Sequence, residues 1–401
     1  MKNLLPFFAI VFLVTVSTGA DWRQFRGTLG NSVAADANLP IEWNEDKNIA
    51  WTADLVGRGP SSPIVVDGRV IVTASGGVRQ DRLYVLAFDA DSGESLWRRE
   101  FWATGRTLTH PESAVAAPTP ASDGKRIFAF YSSNDLICLD LDGNLLWYRG
   151  LAHDYPKAGN DVGMSASPVV VDETVIVQLE NQGDSFATGI DVATGEERWR
   201  IDRDARANWT SPVGLEINGQ NVVLLQSPAT GISAHNPLTG ETIWTFKANS
   251  GGIASPIAND GRVFFASKGI TALNVATGSV EPSVEWDSNQ LNPSSASPLL
   301  FAGRIYTMNR GGILTCGSAD DGKKLWQLRL GGTHWATPVI AGEHIYCVSF
   351  EGEVKVVSLG EKGEVVATNQ FPEKIQGTPA VVGDAMYIKS DQHLWKIASE
   401  K

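Results

Sequence analysis

The side chains able to do chemistry in this chain gather in a few short stretches. Residues 104–114 carry His110 and Glu112, and residues 153–162 carry His153, Asp154, Asn160 and Asp161. Imidazole and carboxylate together can move a proton. Carboxylate and amide oxygens together can ligate a hard cation. Arg58, Asn208, Trp209, His334 and Trp335 stand in comparable places elsewhere. Large aromatics with an arginine nearby are common anchors of a binding surface. None of these groups sits in a recognisable catalytic motif: there is no G-x-S-x-G elbow, H-E-x-x-H pair or P-loop. What they can do depends on which elements bring them together.

Those elements are repeats. A phrase of the form D/N/S, two residues, a small or acidic residue, Gly, three residues, Trp ends at Trp97, Trp199, Trp244 and Trp326. A shorter version ends at Trp147 and a stretched one at Trp286. A second phrase precedes each: a small residue, usually Ser or Thr, then Pro, opening a β-rich run. Its prolines are Pro63, Pro120, Pro168, Pro212, Pro256, Pro298, Pro338 and Pro379, spaced 57, 48, 44, 44, 42, 40 and 41 residues apart. Eight units of this length predict an all-β, eight-bladed propeller. Within residues 254–286 the turn signals and β-branched runs divide the unit into four antiparallel strands. The outer Trp residues are expected to pack between neighbouring blades, as architecture.

The last unit has three strands and then the chain ends. An orphan strand with Trp51 lies at residues 48–55, and Trp51 to Pro63 is 12 residues. Trp244 to Pro256, Trp286 to Pro298 and Trp326 to Pro338 are also 12, with Ala367 standing in the Trp slot of the seventh unit. The N-terminal strand is therefore expected to complete the last blade and close the ring. Trp199 to Pro212 is 13, near this norm, and two junctions break it: Trp97 to Pro120 is 23 residues and Trp147 to Pro168 is 21. Both insertions fall between an outer strand and the next inner strand, on the face around the tunnel mouth. That face collects Arg58, His110, Glu112, His153, Asn160, Asp161, Trp209, His334 and Trp335 as the candidate binding surface. His235, His344 and His393 lie beside turns or open strands and read as structural.

Residues 1–20 read as a secretory signal peptide: Lys2, an apolar run from Leu4 to Val16, and a Thr18-Gly19-Ala20 cleavage site. A single propeller over 21–401 follows, with no later stretch able to span a membrane. The expected product is soluble, periplasmic or extracellular, and a monomer. The chain carries a net charge of −12 and no basic cluster, which excludes the usual nucleic-acid binders. Its three cysteines, Cys138, Cys316 and Cys347, form no adjacent pair and no CxxC. They read as buried thiols, with a Cys316–Cys347 bridge as the alternative.

The repeated D-x-x-T-G-x-x-x-W phrase with its S-P openings resembles the pyrroloquinoline-quinone (PQQ) type repeat family. Such repeats occur in quinoprotein dehydrogenases and in BamB-like propellers of the outer-membrane barrel-assembly machinery. "DWRQFRG" at 21–27 followed by "IEWNEDKNIAW" is similar to the start of exported BamB-like members. The BamB-like resemblance implies a non-enzymatic scaffold that binds a protein partner in the cell envelope, without a cofactor. The BamB anchor, a lipidated N-terminal Cys, has no counterpart here. The dehydrogenase resemblance implies the alternative: a quinone clamped between a Trp and an adjacent Cys pair, with calcium beside it, or a small-ligand sensor. The Cys pair is missing, so PQQ with calcium is not the expected cofactor set.

Overall fold

The computed structural model describes residues 21–159, 161–259, 261–275 and 281–399. The proposed signal peptide and Asn160 lie outside them. Eight antiparallel sheets of four strands follow one another around an axis, and one of them gains a fifth strand. Blade 1 runs outward as Ile64–Val66, Arg69–Gly76, Arg82–Asp89 and Ser95–Trp102. Blade 8 comprises Ala380–Val382, Ala385–Lys389 and His393–Ala398, and its outermost strand is Ile49–Asp54. Ile49 pairs with Ile397 and Asp54 with His393, so the N-terminal strand closes the ring as the spacing predicts. Inner strands are mostly short and start on a buried residue, and Ile64–Val66 is buried throughout, because space near the axis is small. Outer strands alternate exposed and covered residues, as in Ser95–Trp102.

The repeated phrase has a physical reason at each position. Asp89 Oδ1 accepts hydrogen bonds from the Asp91 and Ser92 amides and from the Ser92 hydroxyl, which fixes the turn. Gly93 has φ of 75°, a left-handed conformation that favours glycine. It is also a landing pad. A Cβ on Gly93 would lie 2.6 Å from the Trp51 ring of the preceding blade. The same contact recurs between Gly143 and Trp97, Gly195 and Trp147, Gly240 and Trp199, Gly322 and Trp286, and Gly363 and Trp326. Several indoles also donate to the same turn, for example Trp97 Nε1 to Leu141 O at 3.0 Å and Trp199 Nε1 to Pro237 O at 2.8 Å. Each Trp thus couples its blade to the next one. The Trp stands inside the outer strand, which runs on past it, rather than at the strand's end.

Blade 7 shows what happens without the Trp. In blade 5 the ladder aligns Phe264, Ala272 and Trp286, and the two rings lie 5.8 Å apart. Blade 6 aligns Tyr306, Cys316 and Trp326, with rings at 5.9 Å. Blade 7 aligns Tyr346, Val356 and Ala367. The ring opposite Tyr346 is Trp43, at 6.4 Å, which also lies 6.0 Å from Phe371. Trp43 comes from the N-terminal segment and is held by a 2.8 Å bond from its amide to Asn369 Oδ1. The slot at Ala367 is therefore filled from elsewhere in the chain.

The start of this segment does something the sequence did not suggest. Residues 21–34 cross the axis. Trp22 bridges Val65 of blade 1, and Arg23 O accepts from Ser122 N of blade 2. Arg26 Nη2 reaches Pro256 O of blade 5 at 2.7 Å. Val33–Ala34 then adds a parallel strand beside Val339–Ala341 in blade 7. "DWRQFRG" is a plug across the tunnel. Arg26 is fully buried in it, and its Nε and Nη1 have no acceptor. Burial lowers its pKa to about 9.

Candidate functional site

The axial tunnel opens at the face formed by the junctions between outer and next inner strands. Its mouth is a cup of about 350 Å³ with Phe25 of the plug among its lining residues. The residues before the eight prolines of the repeat form a belt in its wall: Ser62, Thr119, Ser167, Ser211, Ser255, Ser297, Thr337 and Thr378. The amide of each of the first seven donates to the hydroxyl of the next blade's member. Ser62 N reaches Thr119 Oγ1 at 3.0 Å, Thr119 N reaches Ser167 Oγ at 3.0 Å, and the chain of bonds continues to Thr337 N and Thr378 Oγ1. This accounts for the Ser/Thr-Pro spelling of the repeat. The hydroxyl caps an amide across a blade boundary, while the following Pro starts the inner strand without needing a donor. As acceptors in the belt, the hydroxyls keep their own protons for the cup.

Several of the residues expected on this face do line the cup: His110, Glu112, Trp209 and Trp335. Trp209 is held by a bond from its Nε1 to Gly163 O at 2.9 Å. Its neighbour Asn208 is buried and donates to Gln226 O. Behind them Glu180 is buried, with Arg203 Nε at 2.8 Å and the Ser227 hydroxyl at 2.6 Å. The guanidinium of Arg310 lies 4.1 Å from the Trp335 ring centre. The two inserted loops brace each other: His110 N donates to Val162 O at 3.0 Å, and Arg106 pairs with Asp161 at 2.7 Å. Arg58 donates to Pro111 O and Ser113 O, and Gln376 donates to Glu112 O. Arg58 thus acts on the cup through the loop, from a neighbouring cavity.

Other expected residues lie apart. His153 is exposed on the single turn of helix Leu151–Asp154 and is not in the cup wall. Asp161 is engaged by Arg106 outside it. His334 is buried, with Nδ1 3.0 Å from Val348 O and Nε2 2.9 Å from Gly331 O. Burial depresses its pKa, so it anchors the loop that presents Trp335 and offers no free imidazole. Spacing alone could not separate a loop's buried anchor from its exposed tip. Sequence reasoning missed the hydroxyl belt, Phe25, Met164 and Ile253 in the wall. The invariant Ser or Thr before each repeat Pro was a signal that could have found the belt.

The donor set does not suit a calcium-held quinone. Glu112 is the one carboxylate among the cup-lining residues, and no group of three or more His, Cys, Asp or Glu able to hold a metal occurs among the described residues. Cys138, Cys316 and Cys347 are buried and unbridged in three different blades. Burial pushes the Cys138 thiol up to about 12 and the Cys316 thiol up to about 11. These are protonated, unreactive sulfurs at neutral pH.

A family profile for the outer membrane protein assembly factor BamB matches residues 30–187 and 183–401. The chain belongs to the BamB family. An outer membrane protein assembly factor BamB from Burkholderia pseudomallei (strain K96243) is 24% identical over 347 residues, covering 84% of this chain and 75% of that one. The crystal structure of BamB from Moraxella catarrhalis superposes with a TM-score of 0.65 at 18% identity, covering 88% and 97%. A europium-containing methanol dehydrogenase superposes with a TM-score of 0.73 at 13% identity, covering 94% and 98%. At these identities the two superpositions establish a shared propeller fold, and the BamB-family assignment rests on the profile. Among the described residues of this BamB-family chain, no helix is long and apolar enough to cross a membrane.

Proposed function

We propose that this BamB-family propeller is an exported, non-enzymatic scaffold that docks a protein partner of the cell envelope on its tunnel-mouth face. The observation that carries this reading is the convergence of Trp209, Trp335, Ile253, His110 and Glu112 around one cup, with two inserted loops braced against each other beside it. Central aromatics with a polar rim are the composition of an interface core. The opposite end of the axis is crossed by residues 21–34, which leaves the mouth as the accessible end. Export rests on the apolar segment at residues 4–16. The partners suggested by the family are proteins that assemble outer-membrane barrels.

A second reading has one observation in its favour. A cup of about 350 Å³ falls within the size of small-molecule sites, and the belt offers it hydroxyl donors. Affinity capture from an envelope fraction, with wild-type protein and a variant shortened across 104–114, separates the two. Scaffolding predicts recovery of barrel-assembly proteins by wild type and much less by the shortened protein, with unfolding behaviour unchanged. Retention of a stoichiometric small molecule, with equal partner capture by both, would favour the second reading.

A further inference from the structure

A second cavity of about 230 Å³ adjoins the cup where blades 8 and 1 meet, sharing Pro60, Glu112 and Gln376 with it. Its wall carries three cations, Arg58, Lys374 and Lys389, and two carboxylates, Glu112 and Asp391. Lys389 is the unusual member. It ends the second strand of blade 8 and is 2% exposed. Its ammonium donates to Gly59 O at 2.5 Å, the one hydrogen-bond acceptor in place for it among the described residues. An ammonium has three protons to place. Burial lowers the Lys389 pKa to about 8, and the charge of Asp391 offsets only part of that effect.

Arg58 is more open, its side chain 39% exposed, but it too holds a donor without an acceptor. Its Nη2 serves the Pro111 and Ser113 carbonyls, but its Nε is buried without an acceptor, 3.8 Å from Asp391 Oδ2. Asp391 is turned elsewhere, its Oδ1 accepting from Gly59 N at 2.9 Å. The buried Arg58 Nε–H, and the Lys389 protons beyond the one given to Gly59 O, therefore have no protein acceptor in a cavity that both residues line. Such donors are costly to leave unmatched, and an anion is the group that matches both. The wall holds one more cation than carboxylates, which suits a monoanion. A phosphate dianion would face Glu112 and Asp391 as well.

We propose that this side cavity is an anion pocket that takes a carboxylate of the docked polypeptide, either its C-terminus or an acidic side chain, while an adjacent apolar side chain enters the cup. The proposal rests on the reading of the tunnel mouth as the docking face. The shared wall of the two cavities places the two halves of such a ligand within a residue or two of each other. Arg58 links them further, because it both lines the pocket and holds the inserted loop.

Isothermal titration with the peptide N-acetyl-Ala-Ala-Phe as free acid, the same peptide as C-terminal amide, and inorganic phosphate tests this on the purified protein. The free acid should bind at least tenfold tighter than the amide. Lys389→Met, which keeps the stem and removes the charge, should abolish that preference and leave amide binding unchanged. Lys374→Gln, at an exposed position that cannot disturb the core, should reduce it severalfold. The proposal is overturned if neither peptide binds, if acid and amide bind alike, if phosphate binds as tightly as the acid, or if the preference survives both substitutions. Acid and amide binding alike, together with partner crosslinks at the tunnel mouth, would remove the anion pocket and leave the docking face standing.

Discussion

Trp43 is the sharpest test of how the ring is completed. The indole is 5% exposed and fills the place opposite Tyr346 that the outer-strand Trp fills in other blades. Burying roughly 150–250 Å² of aromatic surface at about 25 cal/mol per Å² is worth roughly 4–6 kcal/mol. The Trp43 Nε1 is buried without an acceptor, which offsets about 1–3 kcal/mol of that. Trp43→Ala should therefore destabilise by about 3 kcal/mol, at the low end for a large buried aromatic. Ala367→Trp alone should also destabilise, by about 1–3 kcal/mol, because it drives a second indole into an occupied slot. The double variant should be more stable than Trp43→Ala alone, since the new indole then enters the space the old one vacated. Urea unfolding followed by tryptophan fluorescence, with all four proteins of the cycle, measures the coupling. Simple additivity of the two losses, or an Ala367→Trp protein as stable as wild type, would refute the substitution of Trp43 for the missing repeat Trp.

Gly195→Ala should cost more than an ordinary turn substitution, because the new Cβ would sit 2.8 Å from the Trp147 ring on a backbone with φ of 74°; a urea midpoint equal to wild type would count against the Trp-on-Gly contact. Removing residues 21–54 takes away the plug and the outer strand of blade 8, and size-exclusion chromatography should show aggregation through the bared strand His393–Ala398. His235 is held neutral, its pKa lowered to about 4 by burial and then by the Arg203 charge. Its folded value lies below its unfolded value near 6.5. The unfolded chain therefore binds the extra proton between these limits, and stability should fall by up to about 3 kcal/mol as pH drops from 6.5 to 4. His235→Asn should flatten that part of the profile, and an unchanged slope would show the loss arises elsewhere.

Much of this molecule could be read from spelling. The Pro spacing gave the blade number, and the 12-residue interval from Trp51 to Pro63 placed the closing strand. The Pro opening recurs eight times and the 12-residue interval five, so the copies check one another. Features that occur once were not legible. Nothing in "DWRQFRG" announces a segment crossing from blade 1 to blade 7, because its bonds are to backbone atoms far along the chain, from Val65 to Pro256 O. The stand-in of Trp43 for Ala367 depends on a contact between opposite ends of the sequence. The candidate site was read halfway. Of the residues expected together on one face, Trp209 and Trp335 do meet at the cup. Whether a loop histidine points outward is set by packing: His110 faces the cup, while His334 turns in to two carbonyls. The hydroxyl belt was visible as Ser or Thr before each Pro, but its role needs the preceding blade's amide to be seen.

The central claim is that a protein partner docks at the tunnel mouth. Site-specific photo-crosslinking in the native envelope tests it directly, with a benzophenone side chain placed singly at Trp335 on the mouth, at Leu325 on an outer strand and at Asp321 in a turn between third and fourth strands. The account predicts a discrete adduct with a barrel-assembly protein from position 335 and none from 325 or 321. Adducts from 321 or 325, with position 335 silent, would contradict it.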